Sequence, residues 1–129
     1  MNNNCLMEIG YFRLAKNISK YSDHRVKVGA VISNRKPIGV ASNKDKTHPR
    51  YADPYKTFHS SIHAEIRAII NCGKDNIRGS YIYVYRQHKN GTPAFARPCP
   101  NCLTILKEYG IRKVYFTTEE FPYYQEERL

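Results

Sequence analysis

The order in which hydrophobic spacing switches between the helical and the strand period limits the fold of this chain more than any other feature. Residues 4–21 put Leu6, Tyr11, Leu14, Ile18 and Tyr21 three or four apart with Lys16 and Lys20 between them, which predicts one amphipathic helix. The period then drops to two. Val26, Val28, Ala30 and Ile32 alternate up to Ser33, Asn34-Arg35-Lys36 suits a tight turn, and Ile38 to Ser42 predicts a second strand, with Pro37 tolerated where a strand begins. Ile62, Ile66, Ile69 and Ile70 mark a helix over 62–71, capped by Ser60 or Ser61 and followed by Gly73. In a third strand, Ser80 to Arg86, Tyr81, Tyr83 and Tyr85 fall on one face and Ile82 and Val84 on the other; the tyrosine face is expected to pack under a helix rather than to stack on bases. A helix from Pro100 to Tyr109, stopped by Gly110, leads to a fourth strand, Ile111 to Thr117. Strands separated by single helices favour right-handed parallel crossovers. The order αββαβαβ therefore predicts an α/β fold with a mixed sheet and helices on its faces, in one domain spanning 1–129 that ends in an acidic tail, 119–129.

Charge is distributed unevenly along this frame. Lys and Arg number 21 against 11 acidic residues, a net of +10. Glu119, Glu120, Glu126 and Glu127 against Arg128 alone leave the tail at −3, so residues 1–118 carry +13. Such a field concentrates anions, which fits a phosphorylated small molecule or a nucleic acid without separating the two. No run approaches the ~20 apolar residues of a membrane helix, and the start, Met1-Asn-Asn-Asn-Cys5, lacks a secretory leader's basic flank and apolar stretch, so no membrane partner is expected and the cytosol is the expected compartment. Thiols stay reduced there. Of the four cysteines, Cys5 and Cys72 sit on apolar helix stripes and read as filler, which leaves Cys99 and Cys102 for metal or redox chemistry.

Two short strings carry that chemistry: His63-Ala64-Glu65 at one helix start and Pro98-Cys99-Pro100-Asn101-Cys102 at the next. Each is weak alone, since a His-x-Glu is usually an ordinary helix start and a lone Cys-x-x-Cys suits a redox pair or half a structural zinc site. Together, in this order, they match the H-x-E…P-C-x-x-C signature of zinc deaminases acting on nucleobases. His63, Cys99 and Cys102 supply three ligands, and a catalytic Zn2+ site wants three plus an open position for water. With Pro100 as first helical residue, Cys99 and Cys102 lie on one side of a first turn, where free amides and the helix dipole favour thiolates. The two helix N-termini are expected to meet at the metal. Glu65 is then expected to be catalytic, accepting a proton from water, passing it to the ring nitrogen and helping to protonate departing ammonia. Its plain alternative is an acid stabilising the helix dipole.

Over roughly Val26 to Thr117 the sequence resembles the cytidine/deoxycytidylate deaminase superfamily, including its tRNA-adenosine branch. Val28-Gly29-Ala30-Val31 is similar to the family's first core strand, and Gly110-Ile111-Arg112-Lys113-Val114-Tyr115 to the strand after the Cys-x-x-Cys helix. The resemblance implies a three-layer α/β/α cytidine deaminase-like fold, a Zn2+ cofactor and a homo-oligomer. It implies that Asn43 contacts the sugar and that the Ala64 amide binds the base carbonyl. The chain departs from the pattern in four places. Nineteen residues separate Asn43 from His63, and the path from Arg86 to Pro98 is extended. Arg97 stands where the tRNA branch commonly has an acid, and Ala41-Ser42-Asn43-Lys44 replaces a Gly-Tyr-Asn-Gly-like string. The two long loops hold Lys44, Lys46, His48, Lys89 and Arg97, the candidates for a phosphate. The first reading of function is hydrolytic deamination of a cytosine nucleotide, dCMP to dUMP. A second keeps the mechanism and takes single-stranded DNA or tRNA as substrate. A third is a non-catalytic, zinc-stabilised nucleotide-binding module.

Overall fold

A computed structural model describes residues 4–22, 26–43, 63–72 and 77–129. The elements run α1 (Asn4–Met7), α2 (Phe12–Ser19), β1 (Val28–Ser33), β2 (Pro37–Ser42), α3 (Ala64–Cys72), β3 (Tyr81–Arg86), α4 (Pro100–Glu108), β4 (Lys113–Thr117) and β5 (Tyr124–Arg128). The five strands form one sheet in the order β2-β1-β3-β4-β5, with β3 and β4 parallel and the other neighbours antiparallel. It is the mixed sheet that the hydrophobic periods predict.

Two apolar cores, one per face, make the three layers. Ala30, Ile32, Ile82, Val84, Val114 and Phe116 point toward α3 and α4 and close over Ile66, Ile69, Ile105 and Leu106. On the other face Val31, Tyr83 and Tyr85 pack against Leu6, Phe12 and Ala15 of α1 and α2. The tyrosine row is indeed core on this face: the Phe12 ring meets Tyr83 edge-on at 5.5 Å, and Tyr83 stacks on Tyr115 at 4.6 Å.

Topology fixes where the helices begin. Because β1 runs antiparallel to both β2 and β3, those two strands run in the same direction, and β4 joins them in parallel. Both α3 and α4 are therefore crossovers between parallel strands, and each must start at the edge where β2 and β3 end. Residues 63 and 99 are delivered to the same rim of the sheet.

The structure corrects two of the sequence expectations. Residues 4–21 are not one helix, because Gly10 takes a left-handed φ of +46° and breaks the segment into α1 and α2. Glycine is required there, since a Cβ would strike the Tyr83 ring. Residues 124–128 of the acidic tail form β5, a strand paired with β4 from Lys113↔Arg128 to Thr117↔Tyr124. Charged side chains hid it, because an edge strand needs only its backbone and one apolar face. Cys5, Ser60, Ser61 and Gly73, given roles above, lie outside the residues whose side chains or caps are described.

Both helical layers press directly on the backbone of the first hairpin. A Cβ on Gly29 of β1 would overlap the Ala15 carbonyl of α2, and one on Gly39 of β2 would stand 2.6 Å from the Ala68 carbonyl of α3. Gly29→Ala should therefore lower the unfolding free energy by about 3 kcal/mol, the upper end of the range for overpacking a core, as read by urea denaturation. An unchanged midpoint would mean that α2 does not sit this close to the sheet.

Candidate metal centre

At the shared rim the two helix starts meet. His63 immediately precedes α3, and Cys99 is the N-cap of α4 with Pro100 at its first position. The Cys99 sulfur accepts a hydrogen bond from the Cys102 amide at 3.4 Å, which folds the two sulfurs toward one side of the turn. His63 Nδ1 lies 3.1 Å from Cys102 Sγ, and the three potential donor atoms of His63, Cys99 and Cys102 all fall within 4.8 Å of one another. Ligand atoms around tetrahedral zinc stand roughly 3.5 Å apart, given bonds of about 2.0–2.3 Å. One nitrogen and two sulfurs at this spacing fit that ion, and Cys99 and Cys102 carry thiols rather than a disulfide.

Glu65 lies on the first turn of α3, two residues after His63, and is only 6% exposed. Burial pushes its carboxyl up to about 7, opposed by a hydrogen bond from its own backbone amide. A carboxyl titrating near neutrality can take up a proton and give it back, as a general acid–base must. Ala64, fully buried, opens the helix, so its amide is among the first-turn donors that no helix carbonyl accepts.

The surrounding frame is tied by polar contacts. Arg67 of α3 donates through Nη1 to the Ser42 carbonyl, joining the metal-bearing helix to the end of β2. Asn43 follows directly. Its Oδ1 accepts from the Val28 amide at 2.9 Å and its Nδ2 donates to the Val26 carbonyl at 2.7 Å, pinning the entry to β1. A carboxamide has two donor hydrogens and two acceptor sites, so this use leaves one of each. Arg97 forms a forked ion pair with Glu127 of β5, Nε to Oε1 at 2.7 Å and Nη2 to Oε2 at 3.2 Å. Lys44, Lys46 and His48 lie outside the described residues.

A cavity of about 760 Å³ opens at the same rim, lined by Val26, Lys27, Arg86, Gln87, His88 and Lys89. His88 Nε2 is engaged at 2.5 Å with Glu119, and Lys27 Nζ donates to the Ser22 carbonyl. Arg86 donates weakly to the Phe95 carbonyl at 3.4 Å, while its buried Nε has no hydrogen-bond partner among the described residues. Sequence spacing alone did not single out Arg86, because an arginine at a strand end reads as an ordinary boundary residue.

An α/β sheet thus carries a His-Cys-Cys group of the zinc-binding type at two converging helix starts, with a buried carboxyl two residues after the histidine. Comparison with known proteins places it. The model of the cytidine and deoxycytidylate deaminase zinc-binding region matches residues 7–118, and the chain belongs to this family. It is a deaminase whose metal is zinc. No curated protein matches the sequence. Among solved structures, the apo dCMP deaminase of cyanophage S-TIM5 superposes with a TM-score of 0.61, at 24% identity over 94% of this chain and 88% of that one. The same phage enzyme in complex with dCMP and dUMP gives 0.60, at 22% identity over 93% and 85%. RibD of Acinetobacter baumannii gives 0.50, at 21% identity over 84% of this chain and 27% of that one.

Two outcomes are expected. Cys102→Ala should lose most of its zinc, measured by elemental analysis, and melt earlier than the parent, since the metal links two helix starts; full zinc occupancy would remove Cys102 from the ligand set. In the metal-free protein, Glu65 keeps its proton up to about pH 7, whereas a solvated Glu in the unfolded chain releases it near 4.5. Stability from this group is thus whole below pH ~4.5 and declines as pH rises toward 7, by about 3 kcal/mol in all. Glu65→Gln should flatten that part of the metal-free stability profile, and an unaltered slope would place the effect on another group.

Proposed function

We propose that this chain is a zinc-dependent deaminase of a cytosine nucleotide, converting dCMP to dUMP with release of ammonia. The observation that carries the reading is the convergence of His63, Cys99 and Cys102 with Glu65 buried on the same turn as the histidine. His63, Cys99 and Cys102 would hold zinc, which would supply a water acidic enough to attack near neutral pH. Glu65 moves two protons, the first from the attacking water to the ring nitrogen beside the attacked carbon and the second from the hydroxyl so formed on that carbon to the leaving amine, which departs as ammonia while the carbon keeps a carbonyl. The Ala64 amide meets the base carbonyl, and Asn43 offers its remaining donor and acceptor to the sugar.

The cavity at the same rim of the sheet supports a phosphorylated substrate. Lys27, Arg86 and Lys89 line it, so a phosphate entering it would meet cationic side chains. Lys44, His48 and Arg97 belong to the same reading from sequence, and Arg97 would act there from within its pair with Glu127. The fold likeness to the phage dCMP deaminase, including its complex with dCMP and dUMP, favours a mononucleotide over a polynucleotide.

Deamination of cytidine, dCMP, dCTP, guanine, single-stranded DNA and tRNA, read by mass spectrometry, tests the proposal. Turnover of dCMP with a shallow dependence on ionic strength is expected. Preferred turnover of a polynucleotide, with affinity falling steeply in salt as counterions are released, would overturn the substrate assignment. Glu65→Ala should keep zinc and lose several powers of ten in kcat, and a variant that still turns over would take Glu65 out of the proton path.

A further inference from the structure

Between the end of β3 and the start of α4 the chain runs through residues 87–99 with one isolated bridge, Gln87 to Pro93, and no helix or strand. That segment ends on Cys99, so whatever holds it sets the position of both sulfurs. It is pinned in sequence order. The Ala94 amide donates to the Arg86 carbonyl at 2.9 Å, and fully buried Thr117, the last residue of β4, donates through Oγ1 to the Ala94 carbonyl at 2.7 Å. The Ala96 amide then donates to the Thr117 carbonyl at 3.0 Å. The final pin is Arg97, clasped by Glu127 two residues before Cys99, with only Pro98 and its restricted φ between them.

Register explains why Glu127 is the residue that holds Arg97. It pairs across from Val114, so both side chains leave the sheet on the face that α4 covers. Its neighbour Glu126 pairs across from Tyr115 on the opposite face and lies 3.9 Å from Lys113. A two-oxygen, two-nitrogen clasp fixes the orientation of the guanidinium as well as its distance, which a single-point contact does not. Arg97 and Glu127 keep 39% and 35% of their side-chain surface, so the pair is not a core element.

We propose that Glu127, acting through Arg97, is a positioning residue that holds the Cys99–Cys102 turn in the geometry zinc needs, so that β5 is a working part of the metal centre. The inference rests on His63, Cys99 and Cys102 being the zinc ligands.

The test is zinc affinity, by competition with a chelating indicator, for the full chain and for Arg97→Ala, Glu127→Ala, the double variant and Glu126→Gln. Each single variant is expected to raise the zinc dissociation constant on the order of ten-fold, the lower end of the range for groups that orient ligands. The double variant is expected to be no worse than either single, because the two residues form one link. Glu126→Gln, with the same loss of charge on the same strand, is expected to bind as the parent does. Metal-free forms of all variants are expected to melt with the parent. Arg97→Lys, which keeps the charge and loses the fork, is expected to fall with the single variants. Parental affinity in the single variants, additive losses in the double variant, or a drop in metal-free stability that parallels the lost affinity would each overturn the strap. Failure of the parent itself to bind zinc would instead overturn the ligand assignment beneath it.

Discussion

Parallel pairing of β3 with β4 is the constraint on which the rest of this molecule depends. A parallel neighbour obliges the chain to return across a face of the sheet, and the returning helix must begin where the previous strand ended. The same holds one step earlier, where β2 and β3 run alike through their common partner β1. Two crossovers on one face therefore present two sets of unpaired helix amides at one rim. The residues that open those helices, His63 and Cys99, need no long reach to share an ion. Chemistry follows from topology here more than from any single side chain.

Burial governs the carboxyl on the first turn of α3. Glu65 loses the hydration that favours its charge, and its carboxyl rises to about 7. The soft donors Cys99 and Cys102 stand at the start of α4, within 4.8 Å of His63, so the carboxyl and the sulfurs reach the rim from separate helix starts.

Much of this was legible in the residues themselves. The period-two and period-3.6 stretches gave β1 to β4, α3 and α4, because each buries a face whose spacing must match its geometry. The His-x-Glu and Cys-x-x-Cys strings gave the centre, because ligand spacing is a local property. What escaped was set by contacts between distant segments. The break at Gly10 depends on the Tyr83 ring across the layer, and β5 depends on a neighbour strand rather than on its own apolar pattern. The engagement of Arg97 by Glu127, thirty positions away, leaves no trace in local spacing. A turn signal at Phe121-Pro122 between Thr117 and Tyr124 was the one available hint of the last strand.

Gly39 has a mechanical consequence. At Gly39 the helix that follows His63 comes close to the strand beneath, the Ala68 carbonyl and the Cβ of Cys72 occupying the place a side chain would take. Such a contact leaves little compressible space at that point, so it limits how closely the helix can approach. The missing side chain of one glycine thus sets how low α3 can ride over β2.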